Sequence, residues 1–163
     1  MILHCLPPVI DRRARVLILG SFPSTASLAA QQYYAHPQNR FWPILGEVLG
    51  QPFKEMDYPS RLAAVQGAGI AIWDVFASCE RAGSLDTAIR DAVPNDLAGL
   101  RQAAPLLKRV CFNGRMAARR IREVEALGFE VMILPSTSPA HAGMSFAQKL
   151  ARWRAALQDG IIS

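Results

Sequence analysis

Arg15-Val16-Leu17-Ile18-Leu19-Gly20, continued by Ser21-Phe22-Pro23-Ser24, decides the architecture. A short β-branched and leucine-rich run ends at a glycine and passes into a polar turn, as a buried strand does when it feeds a helix. Apolar side chains at consecutive rather than alternate positions mean that both faces of the strand are covered, a property of parallel sheets. The pattern returns at Gly69-Ile70-Ala71-Ile72-Trp73-Asp74-Val75-Phe76, at Arg109-Val110-Cys111-Phe112 and at Phe129-Glu130-Val131-Met132-Ile133-Leu134. Between these runs the apolar period becomes helical. Ala117, Ile121, Val124 and Leu127 share a face, with Arg115, Arg119 and Arg122 turned elsewhere and Gly128 as the stop. Phe146, Leu150, Trp153 and Leu157 form a core stripe on a last helix, and Asn95 reads as the N-cap of a helix through Leu97 and Leu100 that Pro105 limits. Strands alternating with helices predict an α/β fold: a three-layer αβα sandwich with a central four-stranded parallel sheet, in one domain spanning residues 1–163.

Composition narrows the class. The chain has 163 residues, 51% of them apolar, and 18 Lys+Arg against 13 Asp+Glu, which suits a globular domain and excludes collagen, coiled coil and disorder. Its apolar runs fall short of the about 20 residues of a membrane span, and its start lacks a signal-peptide pattern, so a cytoplasmic protein with no membrane partner is expected. Cys5, Cys79 and Cys111 are far apart and lack metal-ligand spacing, so we expect a reduced protein with no metal and no cofactor. The net charge of +5 favours a polyanionic partner. Only Lys54, Lys108 and Lys149 are lysines; the arginine excess suits bidentate phosphate contacts and equally fits a genome biased toward arginine codons.

In such sheets ligands bind beyond the carboxyl ends of the strands, which points to Gly20 to Ser24, Trp73 to Cys79, Asn113-Gly114 and Pro135 to Gly143. Two of these places are unusual. After the first comes Gln32-Tyr33-Tyr34-Ala35-His36-Pro37-Gln38-Asn39-Arg40-Phe41-Trp42, where aromatics, a histidine, an amide and an arginine crowd together. As structure, Phe41 and Trp42 open an amphipathic helix with Ile44, Leu45 and Val48, and His-Pro is a turn. As function, rings beside an amide suit a pocket that stacks and hydrogen-bonds a flat heterocycle. The other place, Leu134-Pro135-Ser136-Thr137-Ser138-Pro139-Ala140-His141-Ala142-Gly143, is a small, stiff, hydroxyl-rich loop. It reads as an N-cap and turn, or as backbone made bare for a ligand.

These residues carry a family resemblance. Tyr34 to Trp42 after a Gly-x-x-Pro strand end resembles the first motif region of the uracil-DNA glycosylase superfamily. The Ala-His-Pro-x-Asn-Arg-Phe-Trp stretch is similar to mismatch-specific uracil glycosylases. Paired with Gly20-Ser21-Phe22-Pro23 it looks closer to the hypoxanthine-DNA (deoxyinosine) glycosylases. Ser136-Thr137-Ser138-Pro139-Ala140 resembles the second motif, and the likeness runs from about Val16 to Leu157. One position departs: where the mismatch-specific enzymes keep a water-positioning Asn before the proline, this chain has Phe22, whose ring cannot orient water.

The resemblance implies hydrolysis of the N-glycosidic bond of a flipped-out deaminated base in DNA, hypoxanthine first and uracil second, leaving an abasic site. It places the catalytic amide at Asn39, with Asn113 as an auxiliary amide. It puts Tyr34 at the base as a stacking platform, with Phe22 either packing on the base or belonging to the core. Asp74 accepts from the base edge or fixes the pocket. Arg40, Ser136, Thr137, Ser138, Pro139, Ala140 and His141 are the DNA-binding candidates, Ser136 and Thr137 at phosphate oxygens and Ser138 to Ala140 in the gap left by the base. Arg115, Arg119, Arg120 and Arg122 read mostly as solvated surface. No lysine falls in a motif, which fits a monofunctional hydrolase, and DNA is the one partner expected, with no obligatory protein partner. The alternative is a catalytically weak module that binds a modified base or nucleotide on the same fold.

Overall fold

The computed structural model describes residues 1–161, with side chains through residue 158, so the last two positions of the expected domain lie outside the described residues. In chain order the elements are β1 (Leu3–His4), β2 (Val16–Gly20), α1 (Thr25–Ala30), α2 (Phe41–Leu49), α3 (Tyr58–Gly67), β3 (Ile70–Asp74), β4 (Phe76–Glu80), β5 (Arg90–Pro94), α4 (Leu100–Ala103), β6 (Arg109–Asn113), α5 (Ile121–Ala126), β7 (Glu130–Leu134) and α6 (Phe146–Ile161). Short 3-10 turns lie at Phe53–Glu55, Asp86–Ala88 and Ala117–Arg120.

The four expected strands make one parallel sheet in the order β3-β2-β6-β7. β2 is internal, and all of its residues are buried because successive side chains enter opposite cores. Val16 and Ile18 join Phe41, Trp42, Ile44, Leu45 and Trp153 on the side covered by α2, α3 and α6. Leu17 and Leu19 join Leu100, Leu107, Phe112, Ala117 and Val124 on the other side, under α4 and α5. Three layers result. Because β3 and β6 flank β2 on opposite sides, the chain reverses direction across the sheet at β2, and the crevice opens there at the carboxyl ends.

The structure departs from expectation in three places. The apolar run ending at Phe76 is not one strand: β3 stops at Asp74, the Val75 N–H donates to Gly20 O at 2.8 Å, and the chain enters β4. β4 pairs antiparallel with β1 and β5 in a small second sheet. That sheet was illegible because β5, Arg90-Asp91-Ala92-Val93-Pro94, is nearly all exposed and carries no apolar pattern. Asn95 caps no helix. Its Nδ2 donates to Asp74 O at 2.8 Å, α4 is a single turn, and Asp96 takes the local turn by accepting from Ala98 N. The 117–127 stretch divides into a 3-10 turn and α5, with Val124 at the centre of the buried face.

Candidate active site

Gly20 closes β2 where two polar side chains crowd its Cα. A Cβ built there would lie 2.6 Å from Asp74 Oδ1 and 2.9 Å from the Tyr34 hydroxyl, so only glycine lets these groups approach one another across the strand end. Asp74, at the end of β3, is 3% exposed, and its Oδ2 has no hydrogen-bond partner although it lines the cleft. Burial, reinforced by the Asp86 carboxylate and opposed by Arg81, pushes its carboxyl up to about 7. A buried, unpartnered carboxyl has no structural use in a sheet and costs stability, which makes it a candidate for ligand recognition.

Tyr34 has a left-handed backbone (φ 56°), which turns its ring back over the start of α2. It stacks on Phe41 with ring centroids 3.9 Å apart and planes at 12°, so one face is occupied and the hydroxyl edge is directed at Gly20 and Asp74. Burial and the nearby Asp74 charge push the Tyr34 phenol well above its ordinary range, so it remains a neutral hydroxyl. Asn39 lies beside it on the cleft wall. Its Oδ1 accepts from Phe41 N at 2.9 Å, a bond that opens α2; one oxygen lone pair is left for water, and the Nδ2 group makes no hydrogen bond among the described residues.

Asn113, at the end of β6, is placed differently. Its Nδ2 donates to Thr137 Oγ1 at 2.9 Å and to the Tyr34 hydroxyl at 3.3 Å, and its Oδ1 accepts from Thr137 N at 3.0 Å. The whole amide is engaged within the protein, as befits a residue that positions its neighbours. Thr137, expected at a phosphate, is fully buried, and its carbonyl accepts from Arg40 N at 3.0 Å. Its amide donates to Asn113 Oδ1, its hydroxyl accepts from Asn113 Nδ2 and its carbonyl accepts from Arg40 N, so it ties the late loop to β6 and to α2.

A family model described as the uracil DNA glycosylase superfamily matches residues 7–159. The chain belongs to the uracil DNA glycosylase superfamily. Curated members similar to it include the hypoxanthine DNA glycosylase of Methanosarcina acetivorans, 39% identical over 145 residues, covering 89% of this chain and 92% of that protein. Another is the hypoxanthine DNA glycosylase of Methanosarcina barkeri, 42% identical over 135 residues, with 83% and 85% covered. Among solved structures, the solution NMR structure of a protein from Methanosarcina acetivorans superposes with a TM-score of 0.89 at 37% identity, over 98% of each chain.

Of the remaining expected residues, Phe22, Ser136, Ser138, Ala140 and His141 line the same cleft, and Pro139 and Arg40 are not part of its lining. Phe22 is 7% exposed yet lines it, with the Arg81 guanidinium 5.2 Å from its ring centroid, so core packing and cleft lining coincide. Ser136 Oγ accepts from Ser138 N and Ser138 Oγ from Ala140 N, a stiff pair of turns that leaves Pro139, Ala140 and His141 exposed. Lys149 Nζ clamps the loop by donating to His141 O at 2.6 Å, and Trp153 Nε1 holds its start through Pro135 O at 2.9 Å. Arg40 is exposed, its guanidinium 5.4 Å from the centroid of the Phe146 ring. His36 accepts from Gln38 N through Nδ1, a turn contact.

Other functional candidates escaped the sequence. Arg115 and Arg119 are exposed on the cleft rim with Arg152, whereas Arg120 is structural, paired to Glu123 and donating to Val75 O and Asn95 O. Helical spacing spreads these arginines over several faces; the 3-10 turn after Gly114 brings two of them to the rim, and only the strand-end rule hinted at that. Ser84 to Thr87 form the rim beyond β4, in a segment with no motif. Among the described residues no group of three or more His, Cys, Asp or Glu side chains is placed to hold a metal ion, and no helix is long and apolar enough to cross a membrane.

Proposed function

We propose that this chain is a monofunctional DNA glycosylase that hydrolyses the N-glycosidic bond of a deaminated base, hypoxanthine before uracil. One observation carries the assignment: Tyr34 and Asp74, whose Oδ2 is unpartnered, meet at Gly20 in a cleft at the carboxyl ends of β2 and β3 that Asn39 also lines. The names of the relatives similar to the chain support the same substrate.

The chemistry follows from what each group can do. Bond cleavage leaves positive charge on the sugar and negative charge on the departing base, so catalysis needs a placed water and hydrogen bonds to the base. Asn39 offers the free lone pair of Oδ1 to water and its Nδ2 hydrogens to a base acceptor. An amide is no general base near neutral pH, so its contribution is orientation. Asp74, protonated below about pH 7, presents one donor and one acceptor, matching the O6 acceptor and N1–H donor of hypoxanthine. The adjoining donor and acceptor of uracil fit the same pair. Tyr34 and Phe22 flank the flat ring, and Asn113 with Thr137 fixes the floor. Arg115, Arg119 and Arg152, exposed on the cleft rim, would take the phosphates on either side of an extruded nucleotide, and the exposed Arg40, outside the cleft lining but next to Asn39 in sequence, would take one further along the strand. With DNA as substrate we infer the cytoplasm, beside the chromosome, as its compartment, a reading that the free Cys5, Cys79 and Cys111 suit.

The test is base release from duplexes carrying one deoxyinosine or one deoxyuridine, with abasic sites revealed by alkali. Wild type should release hypoxanthine faster than uracil. Asn39→Ala should abolish release while DNA binding persists. Protection of the lesion without release would favour the binding module, and undiminished release by Asn39→Ala would remove Asn39 from the chemistry.

A further inference from the structure

Arg81, just after β4, plays no part in that mechanism. Its guanidinium lies 5.2 Å from the centroid of the Phe22 ring. Phe22 lines the cleft and Arg81 does not, so the cation stands behind the ring as seen from a bound base. Backbone carbonyls hold it there: Nη2 donates to Pro23 O at 2.6 Å and Nε to Gly83 O at 2.8 Å. Nη1 is buried without a hydrogen-bond partner, and the group forms no ion pair among the described residues. A buried cation without a counter-ion costs stability. Joining this turn to the loop after β2 does not require one, because Thr25 already does so, its N donating to Ser84 Oγ at 2.9 Å and its Oγ1 to Gly83 O at 3.2 Å. The charge itself is left without a structural use.

The reaction supplies a use. As the bond from C1′ to the base nitrogen breaks, its electron pair leaves with the base, and water gives its hydroxyl to the sugar and a proton to the base. A phenyl face carries the negative part of the ring quadrupole and by itself repels such a leaving group. A guanidinium on the far side of the ring offsets that repulsion. The other cations nearby are not placed to do this. Arg90 is exposed and donates to Thr87 O and Ile89 O, and Arg115, Arg119 and Arg152 are exposed on the rim, where water and salt screen them. Asp86, which lines the cleft and accepts from Ser21 Oγ at 2.7 Å, works against a departing anion, so a cation on this side has that charge to offset as well. A base stacked on Phe22 from the cleft comes within about 9 Å of the guanidinium, close enough at a half-buried site for about a tenfold effect on rate. Resting on the glycosylase assignment above, we propose that Arg81 is a positioning residue for the leaving base: it holds Phe22 against the cleft and sets a fixed positive charge behind the ring, facing the negative charge that the base gains as the bond breaks.

The test uses the full chain as wild type, Arg81→Met, Arg81→Lys and Thr25→Val, with deoxyinosine and its 8-aza analogue as lesions. 8-Azahypoxanthine has a ring nitrogen in place of one C–H of hypoxanthine, keeps the same O6 and N1–H edge and ionises far more readily. It is therefore the better leaving group and, as a free base, an anion just below neutrality. Arg81→Met keeps the aliphatic stem on Phe22 and removes the charge. It should slow single-turnover release of hypoxanthine about tenfold and that of 8-azahypoxanthine clearly less, with affinity for the lesion duplex unchanged. Arg81→Lys should recover most of the rate. Thr25→Val, which loosens the same turn by removing a bond to Gly83 O, should leave the ratio of the two rates as in wild type. Binding of the two free bases to the protein on an abasic duplex measures the charge without chemistry, and the preference for the anion should fall about tenfold in Arg81→Met. The alkaline loss of rate should also move to higher pH. Of the groups that face Asp74, Tyr33, Tyr34 and Cys5 stay neutral and Asp86 is unchanged, so removing the one cation raises the carboxyl further. An Arg81→Met protein whose two rates fall alike, and whose preference for the anion equals that of wild type, overturns the proposal and leaves Arg81 a staple of the turn. A wild type that releases neither base yet prefers the anion through Arg81 supports the charge behind Phe22 and overturns the glycosylase assignment instead.

Discussion

Replacing Asp74 by asparagine removes a titrating proton from a site that cannot accommodate charge. In the folded protein burial raises this carboxyl from 3.8 to about 7, with Asp86 adding to the effect and Arg81 opposing it. A folded value above the unfolded one means that the unfolded chain loses its proton first as pH rises. The stabilisation is therefore complete below the unfolded value and drains away until the folded value is passed. At 1.36 kcal/mol for each pH unit between the two, the loss reaches about 4 kcal/mol at pH 8, and more than half of it develops between pH 5 and pH 8. Asparagine is isosteric and neutral throughout, so that decline should vanish. Its added amide donor meets no acceptor where Oδ2 has none, which costs about 1–3 kcal/mol at every pH. Asp74→Asn should thus be the more stable protein at pH 8 and no better than wild type at pH 5. Urea denaturation at pH 5, 6, 7 and 8, followed by tryptophan fluorescence, measures this directly, with Trp42 and Trp153 buried in the core as reporters. In base release the wild type should lose rate as pH rises through about 7, and the variant should show a flat profile. Stability curves that run parallel in pH would refute the reasoning, because Asp74 would then not titrate in this range.

Two further substitutions probe the frame and the rim. Asn113→Ala leaves the fully buried Thr137 N–H unpaired and frees the Tyr34 hydroxyl, so stability should drop by about 1–3 kcal/mol. Thermal melts and amide exchange at Thr137 check it, and an unchanged melt would mean that the late loop is held elsewhere. Arg119→Ala should weaken binding to lesion and undamaged duplexes alike and lower the slope of log affinity against log salt by about 0.9, the value for one phosphate contact. An unaltered slope would take this arginine off the DNA path.

The four parallel strands were legible because each is apolar at consecutive positions, a signal that both-face burial imposes on Val16 to Leu19 more strongly than on any other segment. The second sheet was not, since β5 owes its place to backbone pairing with β4 rather than to its side chains. Within the site, Asn39 and Tyr34 were legible through a local motif and Asp74 through its strand end. The task of Thr137 was hidden: a hydroxyl in a small-residue loop looks the same whether it faces a phosphate or Asn113, and only tertiary contacts decide. Asn95 failed for the same reason, its amide being drawn to Asp74 O instead of its own chain.

Those tertiary contacts also explain why the costly features sit where they do. Four segments far apart in sequence meet at the cleft, and each is joined to the next through backbone or amide bonds. Gly20 O accepts from Val75 N, Thr137 O accepts from Arg40 N, and Asn113 bridges Tyr34 to Thr137. No joint depends on Asp74 Oδ2 or on Asn39 Nδ2, the two groups assigned to the base. An unpartnered buried carboxyl destabilises the fold, and it is tolerated because it lies at the end of β3, beside the fully buried β2, where the sheet is packed from both sides. Reactive polar groups held still by a frame that does not use them are pre-organised for a ligand. A substitution in the frame should therefore lower stability and activity together, whereas Asp74→Asn should separate them at pH 8, raising stability while changing how release depends on pH.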